Sequence, residues 1–162
     1  MALTDAGTGA VTVLLGNGDG TFGPPISFYS EAIEPVSIVA LDLNGDGKAD
    51  LAVADPATGA VYVMLGNGDG TFQTAVSYAA GSDPESLMVS SAAGTVPSLA
   101  VANPASNVVT VLQGNGDGTF QPAVSYAAGT TPLSLVFFTS ASGPSLAVVD
   151  NGTSSILDLA IQ

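Results

Sequence analysis

The sequence predicts an all-β chain folded as a β-propeller of four-stranded antiparallel blades. Three observations carry this. The heptapeptide GNGDGTF occurs at residues 16–22, 66–72 and 114–120, so the chain repeats with a period of 50 and then 48 residues. Each period holds four short Val-rich segments separated by Gly, Pro, Asn and Asp. No segment sustains a helical period of apolar residues. A sandwich is the competing all-β reading, but sandwiches need no internally similar units of this length.

The repeat extends well past the heptapeptide. LAVADPATGAVYVMLGNGDGTFQTAVSYAAGSDPESL, from Leu51, is echoed by LAVANPASNVVTVLQGNGDGTFQPAVSYAAGTTPLSL, from Leu99. Within the single propeller segment 1–162 the units run approximately 1–34 (partial), 35–82, 83–130 and 131–162 (partial). In the second unit strand A is expected at residues 37–41, B at 50–54, C at 61–65 and D at 75–78. Strand A opens with Pro35-Val-Ser-Ile, echoed by Pro84-Glu-Ser-Leu and Pro132-Leu-Ser-Leu; proline ahead of a strand sets an extended backbone without removing a ladder donor. MALTD aligns with strand B and ILDLAIQ with strand C. Fourteen strands are therefore expected, as two full blades flanked by two of three strands.

Composition narrows the function. Fourteen acidic residues face a single basic one, Lys48, for a net charge of −13. Nothing here neutralises phosphates, so nucleic acid and anionic membrane surfaces are not expected partners. Apolar runs fall far short of a membrane span. Histidine and cysteine are absent, which removes His-based acid–base catalysis, thiol nucleophiles, the usual zinc sites and disulfides. The N-terminal MALTDAGTGA does not read as a signal peptide. A small cation remains as the natural partner.

One loop fits that partner. In DLNGDGKAD, residues 42–50, oxygen-bearing Asp42, Asn44, Asp46 and Asp50 stand at positions 1, 3, 5 and 9, with Gly47 at 6. Lys48, at position 7, offers its backbone carbonyl. This matches the first half of an EF-hand loop, in which alternate residues of a tight curl turn inward and glycine permits the left-handed backbone. Calcium accepts such irregular oxygen shells, whereas magnesium demands a near-ideal octahedron. A surface turn rich in Asn, Asp and Gly is the plainer reading, yet three carboxylates on one loop repel unless a cation lies between them. The Glu expected at position 12 is replaced by Val53, which leaves Asp50 to close the site. The third unit carries Ser90, Ala92, Gly94 and Ser98 at the ligand positions, and the fourth reads TSASGPS. Neither should hold calcium.

GNGDGTF lies between strands C and D and reads as a hairpin turn, with Asn-Gly and Asp-Gly steps. One Asn and one Asp per copy are too few for a calcium shell, although a weak cation or partner contact stays open. Phe22, Phe72 and Phe120 are expected to anchor between neighbouring blades. No lysine or helix follows, so no phosphate cradle is expected. Tyr29, Tyr78 and Tyr126, near the ends of the D strands, read as packing residues or as a sugar-stacking platform.

DLNGDGKADLAVAD…GAVYVMLGNGDGTF resembles the FG-GAP/VCBS repeat, the blade unit of integrin α-subunit propellers and of many secreted bacterial proteins. The resemblance covers nearly the whole chain. It implies calcium in A–B loops, with Asp42, Asn44, Asp46, the Lys48 carbonyl and Asp50 as ligands, and a role in adhesion or ligand binding. The departure is that one loop out of three keeps the ligands.

The expectation is a non-enzymatic, calcium-binding propeller module for protein binding, adhesion or scaffolding, secreted or at a cell surface. A lectin-like carbohydrate binder, or an engineered or excised fragment without its own activity, are the alternatives. Open blade edges and faces predict a homo-oligomer, most simply a dimer.

Overall fold

The structure, a computed structural model, describes residues 1–90, 96–140, 143–152 and 155–160; the side chains of 139–140, 143–144 and 155–160 lie outside that description. Fourteen strands are present among these residues. Blade 1 is β1 (Ala2–Asp5), β2 (Ala10–Val13) and β3 (Ile26–Tyr29). Blade 2 is β4 (Ser37–Leu41), β5 (Asp50–Asp55), β6 (Ala60–Met64) and β7 (Val76–Ala79). Blade 3 is β8 (Ser86–Val89), β9 (Leu99–Asn103), β10 (Val108–Leu112) and β11 (Val124–Ala127). Blade 4 is β12 (Pro132–Ser140), β13 (Gly143–Asp150) and β14 (Ser155–Ala160).

Every sheet is an antiparallel meander whose spatial order follows the sequence, so each blade is built from consecutive hairpins. The strands match the expected four-segment units with end shifts of one or two residues. The B strands of the two four-stranded blades are buried throughout: every residue of β5 and of β9 is inaccessible, because each is covered on both faces by the neighbouring blades.

Three apolar cores lie between consecutive blades. Val11 and Val13 of blade 1 meet Leu51, Val53 and Met64 of blade 2. Ala52, Ala54, Val61 and Val63 of blade 2 meet Leu99, Val101 and Leu112 of blade 3. Ala100, Ala102, Val109 and Val111 of blade 3 meet Leu135, Leu146 and Val148 of blade 4. The small side chains of one face take the large ones of the next, which is how facing layers fill space without voids. Each fully buried Val or Leu contributes about 1.5–3 kcal/mol of transfer free energy. The A strands β4, β8 and β12 contact one another in turn and so line the inner side of the arc. The serine of the Pro-Val-Ser-Ile segment adds a polar tie there, since Ser37 Oγ accepts the Leu87 amide of the next blade at 3.1 Å.

Candidate metal centre

Residues 42–50 form the A–B connection of blade 2, between β4 and β5. Gly45 and Gly47 have φ of 80° and 82°, the left-handed values that let the loop curl on itself. The curl wraps around Asp42. Its Oδ1 accepts the amides of Gly45 and Asp46 at 2.7 and 3.2 Å, and its Oδ2 accepts that of Gly47 at 2.8 Å. Asn44 Oδ1 takes the Asp46 amide and Asp46 Oδ1 takes the Lys48 amide, both at 2.9 Å. Lys48 Nζ stands 3.4 Å from Asp46 Oδ2, in a solvent-exposed ion pair. The Lys48 amide, followed by its side chain, holds the Asp46 carboxyl below the usual carboxylate range. Asp42, Asn44, Asp46 and Lys48 are thus brought together within one hydrogen-bonded loop.

Asp50 is placed differently. It is buried, with Oδ2 accepting the Leu43 amide and Oδ1 the Gly66 amide, both at 2.8 Å. Gly66 opens the GNGDGTF turn, so this carboxylate ties the A–B loop to the C–D turn. Blade 3 makes the same tie more weakly: Ser98 Oγ accepts the Gly114 amide at 3.4 Å. The Ser98 amide also donates to Ser90 Oγ at 2.9 Å. Ala92 and Gly94, and the fourth-unit loop between β12 and β13, lie outside the residues whose side chains are described.

The donor set is all hard oxygen, the chemistry calcium takes. No three carboxylates among the described residues lie close enough to one another to hold a metal. Asp50 is engaged by two amides and Asp46 by Lys48. Each oxygen of Asp50 carries one amide bond, which leaves it a second lone pair. Beside the loop, a cleft of about 390 Å³ between blades 1 and 2 is bordered by Leu15, Gly47, Lys48, Leu51 and Phe72.

The three GNGDGTF segments are turns held by their own side chains. In each, Gly pairs with Phe across a bridge, as Gly16 with Phe22. Asn67 Nδ2 donates to Thr71 Oγ1 at 2.9 Å, and Asp69 Oδ1 accepts both the Thr71 hydroxyl at 2.6 Å and its amide at 2.9 Å. The first and third copies repeat this pattern. The threonine hydroxyl, then the threonine amide, pulls Asp19, Asp69 and Asp117 below the usual carboxylate range.

Two of the three phenylalanines sit between blades as expected. Phe72 meets Phe28 of blade 1 with ring centroids 5.1 Å apart, and Phe120 meets Tyr78 of blade 2 edge-on at 5.4 Å. Phe22, by contrast, is half-exposed. The expected equivalence of Tyr29 with Tyr78 and Tyr126 is off by one residue. Tyr78 pairs with Val61 and Tyr126 with Val109, and the matching partner of Val11 is Phe28. Since side chains alternate, the slip turns Tyr29 to the opposite face, where it is 78% exposed. Tyr78 and Tyr126 pack into the inter-blade cores, so the three tyrosines form no shared platform.

A second set of polar residues escaped the sequence reading. Asp55, Asn103 and Asp150 end the B strands, are buried, and reach back to the connection from the preceding blade. Asp55 accepts the Ile33 and Glu34 amides at 2.8 and 3.2 Å. Asn103 donates to the Ala80 carbonyl at 3.0 Å, and Asp150 accepts the Thr130 amide at 2.9 Å. Their common offset after LAV was the available signal.

The profile of the FG-GAP-like repeat matches residues 1–53 and 42–93, together more than half of the 162 residues. The chain belongs to the FG-GAP-like repeat family. A comparison with curated proteins found no match. Among the described residues of this FG-GAP-like protein, no helix is long and apolar enough to cross a membrane.

Proposed function

We propose that this FG-GAP-like chain is a calcium-stabilised binding or scaffold module, working without catalysis and outside the cell. The observation that carries the reading is the preset curl of residues 42–50. Asp42 is already fixed by the Gly45, Asp46 and Gly47 amides, with Asn44 and Asp46 at alternate positions on the same curl. Asp42, Asn44, Asp46, the Lys48 carbonyl and Asp50 would hold the ion once the loop draws its carboxylates closer than they stand without it, and the ion would supply charge neutralisation to them. Asp46 must exchange its Lys48 partner for the ion, a small cost for an exposed pair. Asp50 serves through its second lone pairs while keeping the Leu43 and Gly66 amides. The extracellular role rests on the family, and the inter-blade cleft beside the loop is the recess for a protein or glycan ligand.

Calorimetric titration with calcium chloride tests the ion. The expected result is one site per chain, lost in Asp46→Ala while the circular dichroism of the metal-free protein stays unchanged. No heat in the wild type, or equal binding in the variant, contradicts the assignment.

A further inference from the structure

The connection from blade 1 to blade 2 departs from the other two connections at adjacent residues. Register makes Tyr29, Ala79 and Ala127 equivalent, so Ser30-Glu31 stands where the later connections have Ala80-Gly81 and Ala128-Gly129. Gly81 and Gly129 have φ of 122° and 80°, and Glu31 holds the same left-handed backbone at 65°. Glycine takes that conformation freely, whereas a side chain strains it. Ala80 and Ala128 belong to inter-blade cores, while Ser30, equally buried, puts a hydroxyl there that has no hydrogen-bond partner. An unpaired buried hydroxyl destabilises the native state. The repeat solves this connection twice with easier residues, and strain kept beside such a solution points to function.

The strained residue borders a groove. About 350 Å³ lies open between blades 1 and 2, with walls drawn from residues 26–31 and 64–75. That volume suits a small ligand group. Phe28, Phe72 and Met64 supply the apolar lining, and the two phenylalanine rings meet at 5.1 Å. Glu31 and Gln73 are its exposed polar members. A carboxylate beside aromatic rings is suited to an ammonium or guanidinium group, and the apolar lining to a methylene stem. The chain has no side chain of its own to spend there, since Lys48 is its one basic residue and stands 3.4 Å from Asp46. A net charge of −13 draws cationic groups inward.

We propose that this groove binds a lysine or arginine side chain of a partner protein, its charged head on Glu31 and its stem along Phe28 and Phe72. The inference deepens the binding-module reading by naming the partner's chemistry, and it uses none of residues 42–50.

NMR amide shifts of the 162-residue chain, titrated in chelator with Nα-acetyl-lysine methylamide, test the proposal. Saturating shifts centred on residues 28–31 and 71–75 are expected, weakening as salt is raised. The norleucine analogue, which lacks the ammonium group, is expected to shift none of them. Glu31→Gln keeps the strained backbone and is expected to weaken binding about tenfold or more. Ser30→Ala and Glu31→Gly are both expected to raise Tm, the first with binding kept and the second with binding lost. No saturating shift in the wild type, an equal response to norleucine or in Glu31→Gln, or an unchanged Tm in both stabilising variants overturns the proposal. Shifts of the same amides by methyl galactoside but not by the lysine analogue also overturn it, in favour of a glycan. Chelator keeps the two questions apart: failure here leaves the ion at residues 42–50 standing, and failure of calcium binding leaves this groove standing.

Discussion

Asp50 and Ser98 stand at equivalent positions, 48 residues apart, and both receive the first amide of a GNGDGTF turn. The carboxylate also takes the Leu43 amide, so Asp50→Ala strands two donors in the core. That substitution is expected to cost about 3 kcal/mol in urea unfolding without calcium. Asp50→Ser, which restores the blade 3 arrangement, is expected to cost less than half as much. Equal stability of wild type and Asp50→Ala in chelator would contradict the tie. The turn carboxylates make a second point at this scale. Asp69 titrates below its ordinary value of 3.8 chiefly because Thr71 donates its hydroxyl. A depressed folded value stabilises the native state above the unfolded value and is lost as pH falls through the folded one. Acid therefore weakens these turns below about pH 3.8. Thr71→Val is expected to move the Asp69 carboxyl upward in an NMR titration, with Asp19 and Asp117 unchanged.

The C–D turn shows how one repeated element acquires different values by position. Phe120 is buried against Tyr78, whereas Phe22 has the same sequence around it and is half-exposed. Phe120→Ala is expected to cost about 3–5 kcal/mol, and Phe22→Ala under about 0.5 kcal/mol, in parallel unfolding curves. Similar costs at the two sites would contradict the inter-blade placement. The first glycine of the turn is fixed by close approach: a Cβ on Gly66 would lie 2.1 Å from the Ala49 carbonyl oxygen, and one on Gly114 2.1 Å from that of Pro97. At this scale the sequence was most legible. Period, alternation and turn residues are local properties, and they located all fourteen strands. Tyr29 marks the limit: the residue type recurs near the end of each D strand, but its register puts it one residue out of step with Tyr78 and so on the opposite face. Asp50 was harder, because a carboxylate at position 9 of an oxygen-rich loop suits a cation and an amide equally. The grips of Asp55, Asn103 and Asp150 on the preceding connection depend on partners about 20 residues away, which no local pattern displays.

Across the whole molecule, stability is a sum over blades and the interfaces between them, as in other repeat arrays. Blade 2 holds the curled loop, so an ion there acts on the hairpin of a blade that makes two of the three cores. An ion bound at 100 times its dissociation constant adds about 2.7 kcal/mol to the folded state. For a chain of this length that raises Tm by roughly 5–10 °C. Thermal unfolding in calcium chloride and in chelator, for wild type and Asp46→Ala, measures this directly. A rise of that size is expected in the wild type and none in the variant. A wild-type Tm indifferent to calcium, or an equal rise in Asp46→Ala, would contradict it.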